Sequence, residues 1–155
     1  MIKTYSIRLF PTIEQIAEIE NLAYVRNSLW NYLVGLEQES YEETGSIMHN
    51  YVLDGKIVPI KKEMGFDALN AKACQRISQE VFFSYRSFFN LIKKDKTAKP
   101  PQKNNMVESF HTIVFNQSGW VFKPDNIVVL NKIPLVYKAN PVLGNLKDLD
   151  RKSVV

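Results

Sequence analysis

The sequence predicts an α+β fold in which a small, OB-like β-barrel is interrupted by an inserted helical domain. An alternating stretch opens the chain, two long helical stretches follow, and several short apolar stretches lie further on. A lone first strand would leave backbone hydrogen-bonding groups unpaired, so its partners are expected among the later strands. The expected division is a barrel of residues 1–10 and 104–150 around a helical domain of residues 11–103.

The first elements follow from the spacing of apolar residues and from capping residues. Residues 3–10 place apolar and polar side chains in alternation, which predicts a strand. Pro11 ends that strand, and Thr12 with Gln15 has the spacing of a capping box. A long helix is therefore expected over residues 13–42. Residues 44–65 contain several glycines and a proline, which predict an irregular segment.

The second half of the chain changes from a helical period to short strands. Asp67 is expected to cap a second long helix that ends at about Lys94, and the proline-rich segment at residues 99–101 predicts an extended linker. Four strands are then expected at residues 110–115, 120–122, 127–130 and 134–137. The turns between them contain glycine, asparagine, aspartate and proline at residues 118–119, 124–126 and 131–132.

Composition and charge limit the classes of protein to consider. The 155 residues carry a formal net charge of +4, and the cations are concentrated in residues 51–104, which have a net charge of +6. No apolar run approaches the roughly 18 residues of a membrane-spanning helix, so no membrane partner is expected. Cys74 is the only cysteine, which excludes an internal disulfide and fits a cytoplasmic protein. The basic middle indicates either a polyanion partner or a solvated surface.

The first helix places a cation inside an apolar stripe. That stripe comprises Ile19, Leu22, Ala23, Leu29, Trp30 and Leu33, and Arg26 projects into its middle. A guanidinium there needs partners, because an unpaired buried charge is too costly. Arg26 therefore either ties the helix to the barrel through carbonyls or a carboxylate, or holds a phosphate. The carboxylates of this helix, Glu37 among them, are expected on a solvated face or at helix ends.

The second helix carries a line of polar and basic side chains on one face. The residues are spaced four, three, four, three, four and three apart: Lys72, Arg76, Gln79, Phe83, Arg86, Asn90 and Lys93. Four cations on a straight face suit a nucleic-acid backbone, and Phe83 could stack on a base. The alternative is a solvated amphipathic helix in which Phe83 makes a secondary packing contact.

Further nucleic-acid candidates lie outside the two helices, and a catalytic site is not apparent. Five further cations are candidates for binding nucleic acid: Lys3 and Arg8 on the first strand, Lys99 and Lys103 in the linker, and Lys132 among the later strands. There is no glycine-rich phosphate loop, no Cys/His metal pattern and no carboxylate pair suited to two metals, so no cofactor, metal site or catalytic residue is predicted.

Several short motifs, in order, resemble the N-terminal half of the OrfB/TnpB transposases, which are relatives of the type V CRISPR nucleases. Residues 7–12, followed by Gln15, Arg26 and Asn31, are similar to the opening motif of that family. Residues 69–89 resemble the family's second helix with its terminal Phe-Phe. Residues 99–101, 109–110 and Trp120 resemble the following junction, and residues 127–137 resemble the closing strand pair.

The resemblance implies a wedge-type barrel with an inserted recognition domain that grips guide RNA and the RNA–DNA duplex by shape and backbone. It adds Asn31 to the candidate nucleic-acid-binding residues. The family's nuclease domain and zinc ribbon would follow residue 150, so this chain is expected to bind RNA or DNA without cutting it. Two alternatives stay open: a subunit of a split nuclease whose catalytic part lies on another chain, and an interaction or remnant domain with no nucleic-acid role.

Overall fold

The computed structural model describes residues 6–106, 112–116 and 118–138 as three helices packed against a four-stranded antiparallel sheet. The helices are α1 (Ile13–Thr44), α2 (Asn50–Ile57) and α3 (Ala71–Ile92), with short 3₁₀ turns at Val58–Ile60 and Phe66–Ala68. The strands are β1 (Arg8–Phe10), β2 (Trp120–Lys123), β3 (Ile127–Leu130) and β4 (Ile133–Lys138). None of these helices is long and apolar enough to cross a membrane.

The expected pairing of the first strand with the later strands is confirmed. The sheet order is β1-β4-β3-β2, and Arg8 lies opposite Lys138 while Phe10 lies opposite Val136. The helices therefore lie between paired strands in the sequence. Over the described residues the sheet is open, with β1 and β2 at its edges. Closure into an OB-like barrel and the division into two domains stay predictions.

Helix α1 begins and ends at the residues that favour helix termini. The Thr12 side chain accepts a hydrogen bond from the backbone of Gln15, and the Gln15 side chain accepts one from the backbone of Thr12, which confirms the capping box. Gly45 ends the helix in the left-handed conformation at φ 71°, which a side chain would disfavour. The predicted helix of residues 13–42 is thus confirmed, with two more residues at its end.

Two predictions for the helical part of the chain differ from the structure. Asn70, not Asp67, caps α3: its side chain accepts from the backbone of Lys72, while Asp67 lies in a 3₁₀ turn. The segment expected to be irregular contains α2, because Leu53 and Ile57 are buried in the core and this packing outweighs the unfavourable Gly55.

Two predicted strands fall partly outside the described residues. Residues 112–115 are not hydrogen-bonded as a strand, although Ile113 packs on the core. Residues 110 and 111 of that expected strand lie outside the described residues. Residues 3–5 of the first predicted strand also lie outside the described residues. The described part of that strand pairs with β4 from Arg8 to Phe10.

Helices and sheet share one hydrophobic cluster. Helix α1 lies between the other elements and buries side chains in several directions, including Leu29, Leu33 and Val34. The inner face of the sheet contributes Leu135 and Tyr137, with every second residue of β4 buried. Helix α3 packs against the same core with one face, so its other face is exposed to solvent.

Candidate nucleic-acid interface

The predicted line of cations on α3 lies on the solvent side of that helix. On the opposite face the structure buries Cys74, Ile77, Val81 and Tyr85, so this part of α3 is amphipathic. The line itself is exposed or partly exposed at each of its positions: Lys72, Arg76, Gln79, Phe83, Arg86, Asn90 and Lys93. A straight, unburied row of this kind can follow an extended polyanion.

Phe83 is an exposed ring in the middle of that line. About half of its surface, 51%, remains accessible, whereas the neighbouring Phe82 is buried. The Arg86 guanidinium lies 6.0 Å from the centre of the Phe83 ring and 5.7 Å from that of Phe82. The ring and its cation are therefore arranged to offer one apolar and one charged contact to the same ligand.

A single carboxylate on α3 is shared by two arginines. Glu80 accepts from Arg26 at 2.9 Å and from Arg76 at 3.3 Å. Arg26 is 5% exposed, and its guanidinium also lies 5.4 Å from the Trp30 ring centre. Burial lowers the pKa of Arg26, and the charge of Glu80 opposes this effect. Arg26 therefore has a carboxylate partner, as the first of the two alternatives for this residue expected. However, that carboxylate connects α1 to α3 and not to the sheet.

The linker after α3 is fastened to α1 by side-chain hydrogen bonds. The Asn31 amide donates to the Asn104 carbonyl at 3.0 Å and accepts from the Asn104 backbone at 2.6 Å. The Trp30 indole donates to the carbonyl of Gln102 at 3.0 Å. Asn31 is thus engaged within the chain. Lys99 and Lys103 are exposed along this anchored segment.

A groove of about 590 Å³ lies between α3 and the anchored linker. Arg76, Phe83 and Lys99 from the predicted site meet there, with Trp30 at the α1 side and Glu80 between the helices. Arg26 is paired with Glu80 and does not itself border the groove. The structure therefore brings a subset of the predicted residues into one concave, partly aromatic surface of net positive charge.

The remaining candidates lie on the sheet side. Arg8 is exposed on β1, with its guanidinium 5.5 Å from the Phe10 ring centre. Lys132 is exposed in the β3–β4 turn and borders a recess of about 280 Å³ at the start of α3, together with Lys61. The Asn131 side chain holds this turn to α3 by accepting from the Asn70 backbone at 2.8 Å. Lys3 lies outside the described residues.

Sequence reasoning missed two buried or half-buried carboxylates. Glu80 stands out only as an acidic residue on a basic helix, four residues after Arg76. Glu37, expected on a solvated face, is fully buried and accepts from the Met48 backbone at 2.7 Å. That expectation was wrong because Glu37 continues the buried stripe one turn beyond Leu33. In the part of the chain that the structure describes, no cluster of His, Cys, Asp or Glu could hold a metal ion.

Comparison with known families gives a match at the front of the chain. Residues 1–46 match the family model HTH_OrfB_IS605, which is described as a helix-turn-helix domain. No curated protein matches the chain. The described part of the matched segment contains β1 and α1. With the order of motifs found in the sequence, this match supports a likeness of the front of the chain to the N-terminal part of OrfB/TnpB-family transposases.

Proposed function

We propose that this chain is the nucleic-acid-binding, non-catalytic part of a transposase or RNA-guided nuclease. In this proposal it grips guide RNA and the RNA–DNA duplex through the sugar-phosphate backbone, while base pairing reads the target. The observation that carries the proposal is the solvent-exposed line of cations on α3. The family match at residues 1–46 supports it, because a helix-turn-helix domain is a DNA-binding class.

The geometry of α3 suits backbone contacts. At about 1.5 Å per residue, the line from Lys72 to Lys93 extends over roughly 30 Å. Four cations distributed over it would neutralise phosphates without reading bases, which is the sequence-independent mode that the proposal requires.

The proposed contacts lie on α3 and not on a recognition helix of the matched segment. A helix-turn-helix places its second helix in the major groove. Between residues 6 and 46 the structure describes one strand and one helix, and the middle of that helix, from Leu22 to Glu37, is built into the core. Arg26 and Asn31 have partners within the chain. Their role in the proposal is to position α3 and the linker, and direct contact with a nucleic acid stays a prediction for both.

Salt dependence of RNA binding tests the proposal. Each phosphate contact contributes about 0.7 to 0.9 to the magnitude of the slope of log affinity against log salt. Replacing Arg76 and Arg86 together with Gln should therefore lower that magnitude by roughly 1.4 to 1.8. The probes are a mixed-sequence RNA strand and an RNA–DNA duplex, and thermal unfolding of each variant verifies that the fold is retained.

A matched control removes the same charge elsewhere. Lys56 and Lys62 are exposed and lie off the line, so the double variant Lys56→Gln/Lys62→Gln should leave the slope unchanged. If the two double variants and the unmodified protein share one slope, α3 is a solvated face. The chain would then be an interaction or remnant domain without a nucleic-acid role.

The absence of cleavage activity is a separate part of the proposal. Two-metal nucleases hold their ions with clustered carboxylates. We expect the purified chain to leave RNA and DNA intact with Mg²⁺ or Mn²⁺, and cutting would need a nuclease domain on another chain. Metal-dependent cleavage that is lost on mutating a carboxylate of this chain would refute this part while leaving the binding proposal intact.

A further inference from the structure

The groove between α3 and the linker has features that a backbone-binding surface does not need. Three aromatic rings border it, those of Trp30, Phe83 and Phe88. Phosphates gain little from rings, whereas nucleobases stack on them. The volume of about 590 Å³ falls within the usual range for small-molecule sites, which is roughly 300–1,000 Å³.

The walls of the groove are held in place by contacts already present. The Trp30 indole N–H is bonded to the Gln102 carbonyl, and one cation, Arg26, lies against the ring. Pro101 in the opposite wall has a fixed backbone φ, and the linker beyond it is fastened through Asn104 to α1. A preformed site loses little side-chain entropy on binding, which favours affinity.

The charge around the groove fits an anion beside the rings. Glu80 is the carboxylate between Arg26 and Arg76, so these three side chains have a net charge of +1. Lys99 adds a second positive charge on the linker side. The Arg26 Nε and Nη1 atoms have no acceptor among the described residues, so Glu80 only partly satisfies that guanidinium. The net positive charge of these side chains favours phosphates at the rim of the groove.

We infer that this groove takes one unpaired nucleotide of an RNA strand, with its base against the rings and its flanking phosphates near Arg76 and Lys99. The inference rests on the proposed nucleic-acid function and deepens it, because it adds a base contact to a surface that otherwise binds backbone alone. Rings stack on every base, so the site selects an unstacked nucleotide without selecting its sequence. A fully paired strand would not present such a base.

Tryptophan fluorescence tests the inference directly. The chain has two tryptophans, and Trp120 lies on β2 and not at the groove, so Trp120→Phe leaves Trp30 as the only reporter. The probe is an oligouridine of roughly ten nucleotides, a usual site size for a single-strand binder. The comparison strand is the same ribose-phosphate chain without bases. We expect saturable quenching of Trp30 by oligouridine and none by the base-free strand.

The affinity ratio of the two strands gives a second readout. One stacked base should favour oligouridine by roughly 5- to 150-fold. Phe88→Leu keeps an apolar side chain but removes a ring of the groove, so it should reduce that ratio several-fold while the base-free strand binds as before. Phe89→Leu is the matched control, because the Phe89 ring touches Phe88, Tyr41 and Tyr85 but does not border the groove.

The outcomes separate this inference from the proposed function. Equal affinities for the two strands, or equal quenching by both, would overturn the base site while the salt-dependent backbone contacts stand. A ratio that Phe88→Leu and Phe89→Leu change equally would also overturn it. If neither strand binds at low salt, the proposed nucleic-acid function fails together with the inference.

Discussion

Arg26 on α1 and Glu80 on α3 form an ion pair with 2.9 Å between nitrogen and oxygen, and the two partners are unequally buried. The Arg26 side chain is 6% exposed, whereas that of Glu80 is 24% exposed. The two helices therefore meet around a cation that solvent hardly reaches. Without its carboxylate, that cation would be left in an apolar environment between Trp30 and the core.

Glu80→Gln should destabilise the protein by about 2–4 kcal/mol. Removing one partner of a fully buried pair costs about 3–5 kcal/mol, and the partial exposure of Glu80 reduces that effect. The measurement is the free energy of unfolding in denaturant. Glu18→Gln, an exposed carboxylate on α1, should change it by less than about 0.5 kcal/mol. Adding Arg26→Met to Glu80→Gln should cost less than the two single changes combined, and strict additivity would contradict a coupled pair.

The buried Glu37 should make stability fall as the pH rises. Burial raises its pKa above the ordinary value of 4.5, and the hydrogen bond from Met48 opposes this only in part. Folding therefore favours the protonated form. The stability that this group contributes is complete below the unfolded pKa and is lost as the pH rises through the folded pKa.

Glu37→Gln removes that ionisation and keeps an oxygen for Met48. The free energy of unfolding of the variant, relative to that of the unmodified protein, should be higher at pH 7 than at pH 4.5. The difference should be about 1.4 kcal/mol for each unit by which the pKa of Glu37 is raised. Subtracting the unmodified protein at each pH cancels the other carboxylates. A difference that does not vary with pH would mean that Glu37 titrates normally.

Phe82 and Phe83 are neighbours that differ in burial, because Phe82 is buried and Phe83 is half exposed. Phe83→Ala should change stability little, because the ring is half exposed, but should weaken RNA binding by roughly 1–3 kcal/mol if a base stacks on it. Phe82→Ala should instead lower the free energy of unfolding by about 3–5 kcal/mol, because that ring is buried. Thermal unfolding and RNA titration of both variants verify the contrast, and a large loss of stability for Phe83→Ala would mean that this ring is a packing residue.

Lys132→Gly separates stability from binding at the β3–β4 turn. Asn131 and Lys132 have φ values of 48° and 72°, which a two-residue type I′ turn requires. Glycine adopts such angles without strain, so the variant should be more stable by about 0.5–1 kcal/mol. If Lys132 contacts a phosphate, the magnitude of the variant's slope of log affinity against log salt should also decrease by about 0.7–0.9. Asn131→Gly should destabilise, because it removes the side chain bonded to Asn70 and Ala68.

The elements that could be predicted from the sequence are those with a long local period or a strong terminus. Helix α1 has a capping box and a C-terminal glycine, and the strands β2 to β4 are short apolar runs between turn residues. Helix α2 could not be predicted in this way. Its eight residues include Gly55, and it is stabilised by burying Leu53 and Ile57 against elements distant in sequence.

The candidate site also combines features that local spacing predicts with features that depend on contacts distant in sequence. The line on α3 follows from helical spacing alone, because one face of an amphipathic helix must face solvent once the other is buried. The groove could not be predicted, because its second wall is a linker whose position depends on Asn31 and Asn104. Glu37 could have been recognised as buried, since it lies four residues after Leu33, but its Met48 partner follows a turn at Gly45.

The pairing of Arg8 with Lys138 has a consequence for synthesis of the chain on the ribosome. Strand β1 emerges before the other described helices and strands, and β4 emerges only after all three helices. At about 5–20 residues per second, β1 waits on the order of ten seconds for its partner. During that interval the nascent helices can already collapse on one another, while the edge of β1 is open to mispairing with other chains. Its described length of three residues, with the charged Arg8 at one end, limits that hazard.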